Sequence, residues 1–263
     1  MTKQEILLKK EDGIATIVLN CPERKNSFSM DMIDQWAKAL NEWRTDPEVK
    51  VIILTGAGDA FCSGVFFAPP PEGTAIEETP FEFKSKLWDR IHRIPLALED
   101  IDKPVIAALN GVAVGAGLDM ALMCDLRFAA ESARFSEGYV KVGFVPGDGG
   151  AYYLPRLVGV AKSLELFWTG DFIYAAEAER IGMVNRVFPD DKLMEETYKF
   201  ARRLADGPTQ VIQLIKRAVY QSSRVDLRTA LDLISSHMGV IRTTQDSQEA
   251  MKASMTRLKG GKK

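Results

Sequence analysis

Two glycine-bearing segments are the first residues able to do chemistry. Asp59-Ala-Phe-Cys-Ser-Gly64-Val65 and Gly111-Val-Ala-Val-Gly115-Ala116-Gly117 each follow a short apolar run. Both allow backbone geometry that β-branched side chains would obstruct, and both offer main-chain N–H groups at the carboxyl end of a strand. Two such groups converging on one oxygen make an oxyanion hole, which stabilises negative charge as it develops. A tight turn with close helix packing is the plain structural alternative for either segment taken alone. Other chemistries are poorly supplied. The chain has only two histidines, His92 and His237, neither beside a nucleophile motif, and both read as structural or exposed. Cys21, Cys62 and Cys124 are widely spaced and form no CxxC, against a disulfide framework or a thiolate zinc site.

The 263 residues, 46% hydrophobic and 27% charged, are enough to bury a large core. Lys+Arg 34 against Asp+Glu 36 leaves a net charge of -2 and no basic field for nucleic acid. Met1 to Lys10 does not read as a signal peptide, and no run of about 18 uncharged apolar residues spans a membrane. A cytoplasmic protein is expected.

The elements that must position the two segments follow from pattern. Ile6–Leu8 and Ile14–Leu19 flank Asp12-Gly13, a hairpin signal. A helix is expected from Ser29 as N-cap, with Met32, Ile33, Trp36, Leu40 and Trp43 on one face, ending before Pro47. Val51–Thr55 and Val105–Leu109 read as buried parallel strands leading into the two segments, with helical spacing over 81–101 between them, interrupted at Pro95. A third unit follows with a helix at 118–124, a strand at 126–130 and a loop over 135–150. From Ala151 nearly everything has helical period, with Gly207-Pro208 as the clearest break. The expected division is an α/β core over residues 1–190 and a helical region over 191–263. Pro69–Gly73 reads as a loop, and the tail from Lys259 as frayed.

With these motifs in order, the chain resembles the crotonase (enoyl-CoA hydratase/isomerase) superfamily over nearly its whole length. Pro22-Glu-Arg-Lys-Asn26 is similar to the family's segment beside CoA. Val51–Gly56 with Phe61-Cys-Ser-Gly64 resembles its first oxyanion loop, and Lys103–Gly111 through Gly117 and Cys124-Asp125 its second. Leu157-Val-Gly159, Thr169-Gly170 and Ala178–Asn185 are similar to the segments that follow. The resemblance implies a crotonase-like α/β fold of repeated ββα units with C-terminal helices, an acyl-CoA substrate, and charge on the thioester oxygen held by the N–H groups of Val65 and Ala116. It places Arg24 and Lys25 by the CoA phosphates, with Arg257 or Lys259 near the same or a neighbouring site. It also puts Ala60, Gly64, Phe66, Phe67 and Gly115 along the bound substrate. Phe66 and Phe67 replace an acidic residue and suggest an apolar wall suited to a compact or cyclic acyl group, with a place in the core as the equal alternative. No cofactor beyond CoA as part of the substrate and no metal are expected.

The familiar hydratases carry two glutamates for proton transfer, and here those positions hold Asp119 and Tyr139. Nearby Asp148 and Glu137 are the compensating candidates. Asp148 beside apolar Phe144 and Val145 is expected to be desolvated and raised in pKa, with an Asx turn as its structural alternative. Asp119 has complementing the helix dipole as its structural alternative, and Tyr139 has packing. Glu137 is expected to be solvated.

Hydration of an enoyl-CoA is the first expectation, double-bond isomerisation the second, and acyl-CoA hydrolysis the third. A binding or assembly protein of reduced activity is the reading from another class. The glycine spacing also suits a short-chain dehydrogenase, but it is internal and Tyr139-Val-Lys141 has the wrong spacing for that family's Tyr-x-x-x-Lys. The resemblance further implies self-association as a homotrimer or dimer of trimers, consistent with apolar stripes at Leu214, Ile215, Val219, Leu227, Leu231, Leu233, Ile234, Met238 and Ile241.

Overall fold

The computed structural model describes residues 4–65 and 78–260, the last of them without their side chains from 257. Phe66, Phe67, the Pro69–Gly73 stretch and the side chains of Arg257 and Lys259 therefore lie outside the described residues. Strands β1 (Ile6–Glu11) and β2 (Ile14–Leu19) pair antiparallel, with Glu11 opposite Ile14. Asp12 and Gly13 both take positive φ, 49° and 80°, the turn whose twist suits a two-residue hairpin. The Ser29 side chain accepts from the Met32 N–H at 3.1 Å and caps α1 (Met30–Thr45), a contact worth about 1 kcal/mol. The expected face of α1 is buried, and the helix stops ahead of Pro47.

Three ββα units follow. β3 (Val51–Gly56) and β4 (Ala60–Cys62) lead to α2 (Pro80–Lys86), a π-turn at Leu87–Ile91, and α3 (Arg93–Glu99). β5 (Val105–Leu109) and β6 (Val112–Val114) lead to α4 (Ala116–Leu122). β7 (Leu126–Ala130) and β8 (Arg134–Ser136) lead through a 3₁₀ turn at Gly138–Val142 to α5 (Gly150–Val158). Each unit sends its first strand into a six-stranded sheet, β1-β2-β3-β5-β7 plus a later strand, and its second into a smaller sheet. The remaining elements are α6 (Val160–Thr169), β9 (Ile173–Tyr174), α7 (Ala175–Arg180), β10 (Arg186–Phe188), α8 (Leu193–Ala205), α9 (Thr209–Ser222), α10 (Leu227–Ile241) and α11 (Gln245–Gly260). β10 closes the large sheet beside β7, and β4-β6-β8-β9 form the small one. β3 and β5 are buried on both faces apart from the terminal glycine of β3, as their unbroken apolar runs require.

The expected boundary at residue 190 falls too early. α8 buries Leu193, Thr197, Ala201 and Ala205 against the large sheet, Tyr198 shares a hydrogen bond with Thr16 at 2.8 Å, and Lys50 donates to the Ala205 carbonyl at 2.9 Å. The helices that stand apart from the sheet begin after Gly207-Pro208. α9 is tied back through Asp125, which accepts from Lys216 at 2.7 Å, Tyr220 at 2.9 Å and the Val105 N–H at 2.7 Å. α10 packs on α9, and Ile215, Val219, Leu227, Leu231 and Met238 are left exposed on the single chain.

Candidate active site

The two glycine segments meet where β4 and β6 end. Gly117 sits so close to β4 that a Cβ there would lie 2.3 Å from the Cys62 carbonyl oxygen, so no other residue fits without moving the strand. Gly64 has φ 95°, and the position of its absent Cβ is 3.6 Å from the Ala116 nitrogen. The loops are therefore in contact, with the peptide after Gly64 beside the start of α4. Ala116 is the first residue of α4, so its N–H has no partner within the helix. On the other side, the Phe28 N–H donates to the Gly64 carbonyl at 2.9 Å and pins the Val65 segment.

Asn26 organises the first loop. It is fully buried, accepts from the Cys21 N–H at 2.9 Å and donates to the Ala57 and Ala60 carbonyls at 2.9 and 2.7 Å. Asn110 also donates to the Ala60 carbonyl, at 3.1 Å. Ala60, expected along the substrate, is thus an internal strand residue whose side chain is 0% exposed and whose carbonyl is already engaged. Arg24 donates to Glu5 Oε1 at 2.7 Å and to the Ser27 carbonyl at 2.9 Å, while Lys25 pairs with Asp59 at 2.6 Å on the surface. Of the two expected phosphate contacts, Lys25 is the more exposed, and Arg24 is built into the base of the loop.

Asp119, Tyr139, Asp148 and Glu137 come together. The Tyr139 hydroxyl is 2.7 Å from Asp119 Oδ2 and 3.0 Å from Asp148 Oδ2. Its ring packs beside Gly115, within 3.6 Å of where a Cβ would stand, which sets the cluster next to the Ala116 N–H. One hydroxyl has one proton to give. For both short contacts to be hydrogen bonds, one aspartate must carry a proton and donate it to the phenol oxygen. Burial pushes Asp119 up to about 7, opposed by the Tyr139 hydrogen bond and reinforced by the charge of Asp148. Asp148 is raised as well, again chiefly by burial, with Tyr139 and His92 holding it down. Both aspartates are held toward the protonated form by burial, so the pair bridged by Tyr139 shares one proton. Asp148 Oδ1 has no hydrogen-bond partner among the described residues, so its side chain does not serve an Asx turn.

Two expectations about the surroundings change. Glu137 is 1% exposed rather than solvated, neither of its carboxyl oxygens has a hydrogen-bond partner among the described residues, and burial beside Asp119 raises its pKa well above the usual range. Val145 is 79% exposed and Phe144 also faces outward, stacked on Phe83 at 6.2 Å. Asp148 is desolvated mainly by the interior of the cluster, not by those side chains. Among the described residues no group of His, Cys, Asp and Glu is arranged to hold a metal ion. A separate cavity of about 780 Å³ between α3, α5 and α9 is lined by paired charges, Lys216 with Asp125 and Arg217 with Asp102 among them.

The chain is similar to known proteins over nearly its whole length. Residues 9–260 match the family described as enoyl-CoA hydratase/isomerase. The chain is 35% identical over 260 residues to a crotonyl-CoA hydratase of Syntrophomonas wolfei subsp. wolfei, covering 98% of each chain. It is likewise 35% identical over 257 residues to the 1,2-epoxyphenylacetyl-CoA isomerase of Escherichia coli, covering 94% of each. The crystal structure of an enoyl-CoA hydratase from Bacillus anthracis superposes with a TM-score of 0.86 at 30% identity, covering 97% of each chain.

Proposed function

The chain belongs to the enoyl-CoA hydratase/isomerase family, and from that premise we propose that it adds water across the double bond of an enoyl-CoA through a thioester enolate. The observation that carries this reading is the tyrosine-bridged aspartate pair, whose tyrosine ring packs on Gly115, the residue before Ala116. The N–H groups of Val65 and Ala116 hold the thioester oxygen as it gains charge, a donor of this kind lowering the barrier by about 2.7–4 kcal/mol. Asp148, ionised, takes a proton from water as the water oxygen bonds to the β carbon. Asp119, protonated, then delivers its proton to the α carbon. One proton enters the pair and one leaves, so the pair ends with its proton on the opposite aspartate. Tyr139 resets it by accepting from Asp148 and donating to Asp119 in the same step.

Isomerisation is the second reading, favoured by the same pair, because an aspartate able to take and return a proton moves a double bond without water. Lys25 contributes to CoA binding at the phosphates. The exposed apolar side chains of α9 and α10 support a homotrimer or dimer of trimers. The three buried free cysteines fit a cytoplasmic enzyme. Straight-chain, aromatic and alicyclic enoyl-CoAs incubated in ¹⁸O-water, with product masses, test the proposal. A product heavier by one labelled water is expected. Turnover that brings solvent deuterium to carbon but no solvent oxygen would replace hydration by isomerisation, and no turnover of any thioester would favour a binding protein.

A further inference from the structure

His92 lies outside the acid cluster, and nothing in its sequence context marks it. The π-turn explains how it comes to face the site. The His92 N–H donates to the Leu87 carbonyl five residues back, at 2.9 Å. In an unbroken α-helix, Phe83 and His92, nine residues apart, would point about 180° from each other. The extra residue in the wide turn cuts that to roughly 80°. Phe83 thereby stacks on Phe144 while His92 Nε2 reaches the Gly147 carbonyl at 2.8 Å. A carbonyl only accepts, so Nε2 carries the hydrogen. Trp88 packs edge-on against the imidazole, with ring centroids 5.8 Å apart, and fixes its plane.

The peptide held in this way is the one that leads into Asp148. Asp148 lies between Gly147 and Gly149, residues that leave its backbone orientation open. Among the described residues, backbone hydrogen bonds anchor this loop at Phe144, through the Tyr139 carbonyl, and at Gly149, which accepts from Tyr152 and Tyr153. Between those anchors His92 holds the Gly147 carbonyl, on the other side of the same peptide from the Asp148 N–H that donates to the Asp119 carboxyl. We propose that His92 is a positioning residue that, through its Nε2–H bond to the Gly147 carbonyl, aims the Asp148 carboxyl at the Tyr139 hydroxyl. The inference rests on the assignment of Asp148 to proton transfer.

The test compares His92→Phe, which keeps the ring against Trp88 but loses the donor, with His92→Gln, which keeps an N–H donor at nearly the same reach. His92→Leu repeats the loss with a smaller side chain should the phenylalanine not fit. Asp148→Asn is run beside them on the best enoyl-CoA substrate. Expected is a kcat loss on the order of 10–100-fold for His92→Phe with KM within about twofold, since a small misplacement of a reacting group costs that much. His92→Gln should recover kcat to within about threefold, and thermal midpoints of all three should match the parent. A parental kcat in both His92→Phe and His92→Leu, or a His92→Gln as slow as His92→Phe, overturns the proposal while Asp148→Asn stays slow. If Asp148→Asn itself turns over normally, the assignment beneath the proposal has failed, and the proposal fails with it.

Discussion

Gly150 and Asp119 are in direct opposition: a Cβ added at Gly150 would lie 2.1 Å from Asp119 Oδ1. Helix α5 therefore begins against one carboxyl of the proton-sharing pair, although the two residues come from successive ββα units. Alanine is favoured over glycine by about 1 kcal/mol inside a helix, so a free position would be stabilised by Gly150→Ala. Here the substitution should instead lower both the thermal midpoint and kcat. A variant more stable than the parent, with unchanged turnover, would show that the contact is soft.

Asp119→Asn and Asp148→Asn should each lower kcat by roughly 10²–10⁴-fold, the usual contribution of general acid–base catalysis. The double variant should lose far less than the product of the two, because the aspartates act as one unit through Tyr139. Full additivity in steady-state kinetics would separate them.

The raised carboxyl of Asp119 sets a pH window for stability. Between about pH 4 and pH 7 the folded protein keeps a proton on Asp119 that the unfolded chain has released, so the stability this residue contributes falls as pH rises through that range. The raised groups Asp148 and Glu137 act in the same direction. Asp119→Asn removes that residue's own part, so its thermal midpoint relative to the parent should climb from pH 4 to about pH 7. A difference independent of pH would contradict the assignment.

Activity should follow the same proton. kcat is expected to fall as pH rises through about 7, where the pair gives up the proton it delivers to carbon. The Tyr139 hydrogen bond holds Asp119 down, so Tyr139→Phe should move that fall to higher pH as well as lowering kcat. A pH–rate profile in which the limb stays in place would assign it to another group.

Lys25→Ala should raise the KM for an acyl-CoA with little change in kcat, the mark of uniform binding. Arg24→Ala should act differently, lowering the thermal midpoint, because it removes the partner of Glu5 Oε1 and of the Ser27 carbonyl at the base of the first loop. Equal KM effects from the two would restore Arg24 as a phosphate contact.

What the sequence discloses divides by range. The Asp12-Gly13 turn, the Ser29 cap and strands β3 and β5 are encoded by neighbours within a few positions, and each was legible. β4, β6 and β8 are three residues each, too short for an alternation to show, so the glycine segments read as loops alone. α8 was legible as a helix but not as part of the core, since periodicity names the apolar face and not what covers it. Asp119, Tyr139 and Asp148 were marked as candidates. Their meeting at one hydroxyl needed the fold of two units. The burial of Glu137 depends on the 3₁₀ turn behind β8, and the direction of His92 on a π-turn that no local residue pattern announces.

In the proposed reaction the thioester end of the site is offered by main chain, at the peptides of Val65 and Ala116, and the acyl end by the side chains of Asp119, Tyr139 and Asp148. These two halves differ in what a gene can change. A single-codon change at 65 or 116 alters what hangs from the peptide and, short of proline, leaves its N–H in place. A codon change at 119, 139 or 148 replaces the reacting group itself. The scaffold thus keeps its hold on one class of thioester while the choice of reaction stays open to revision one residue at a time.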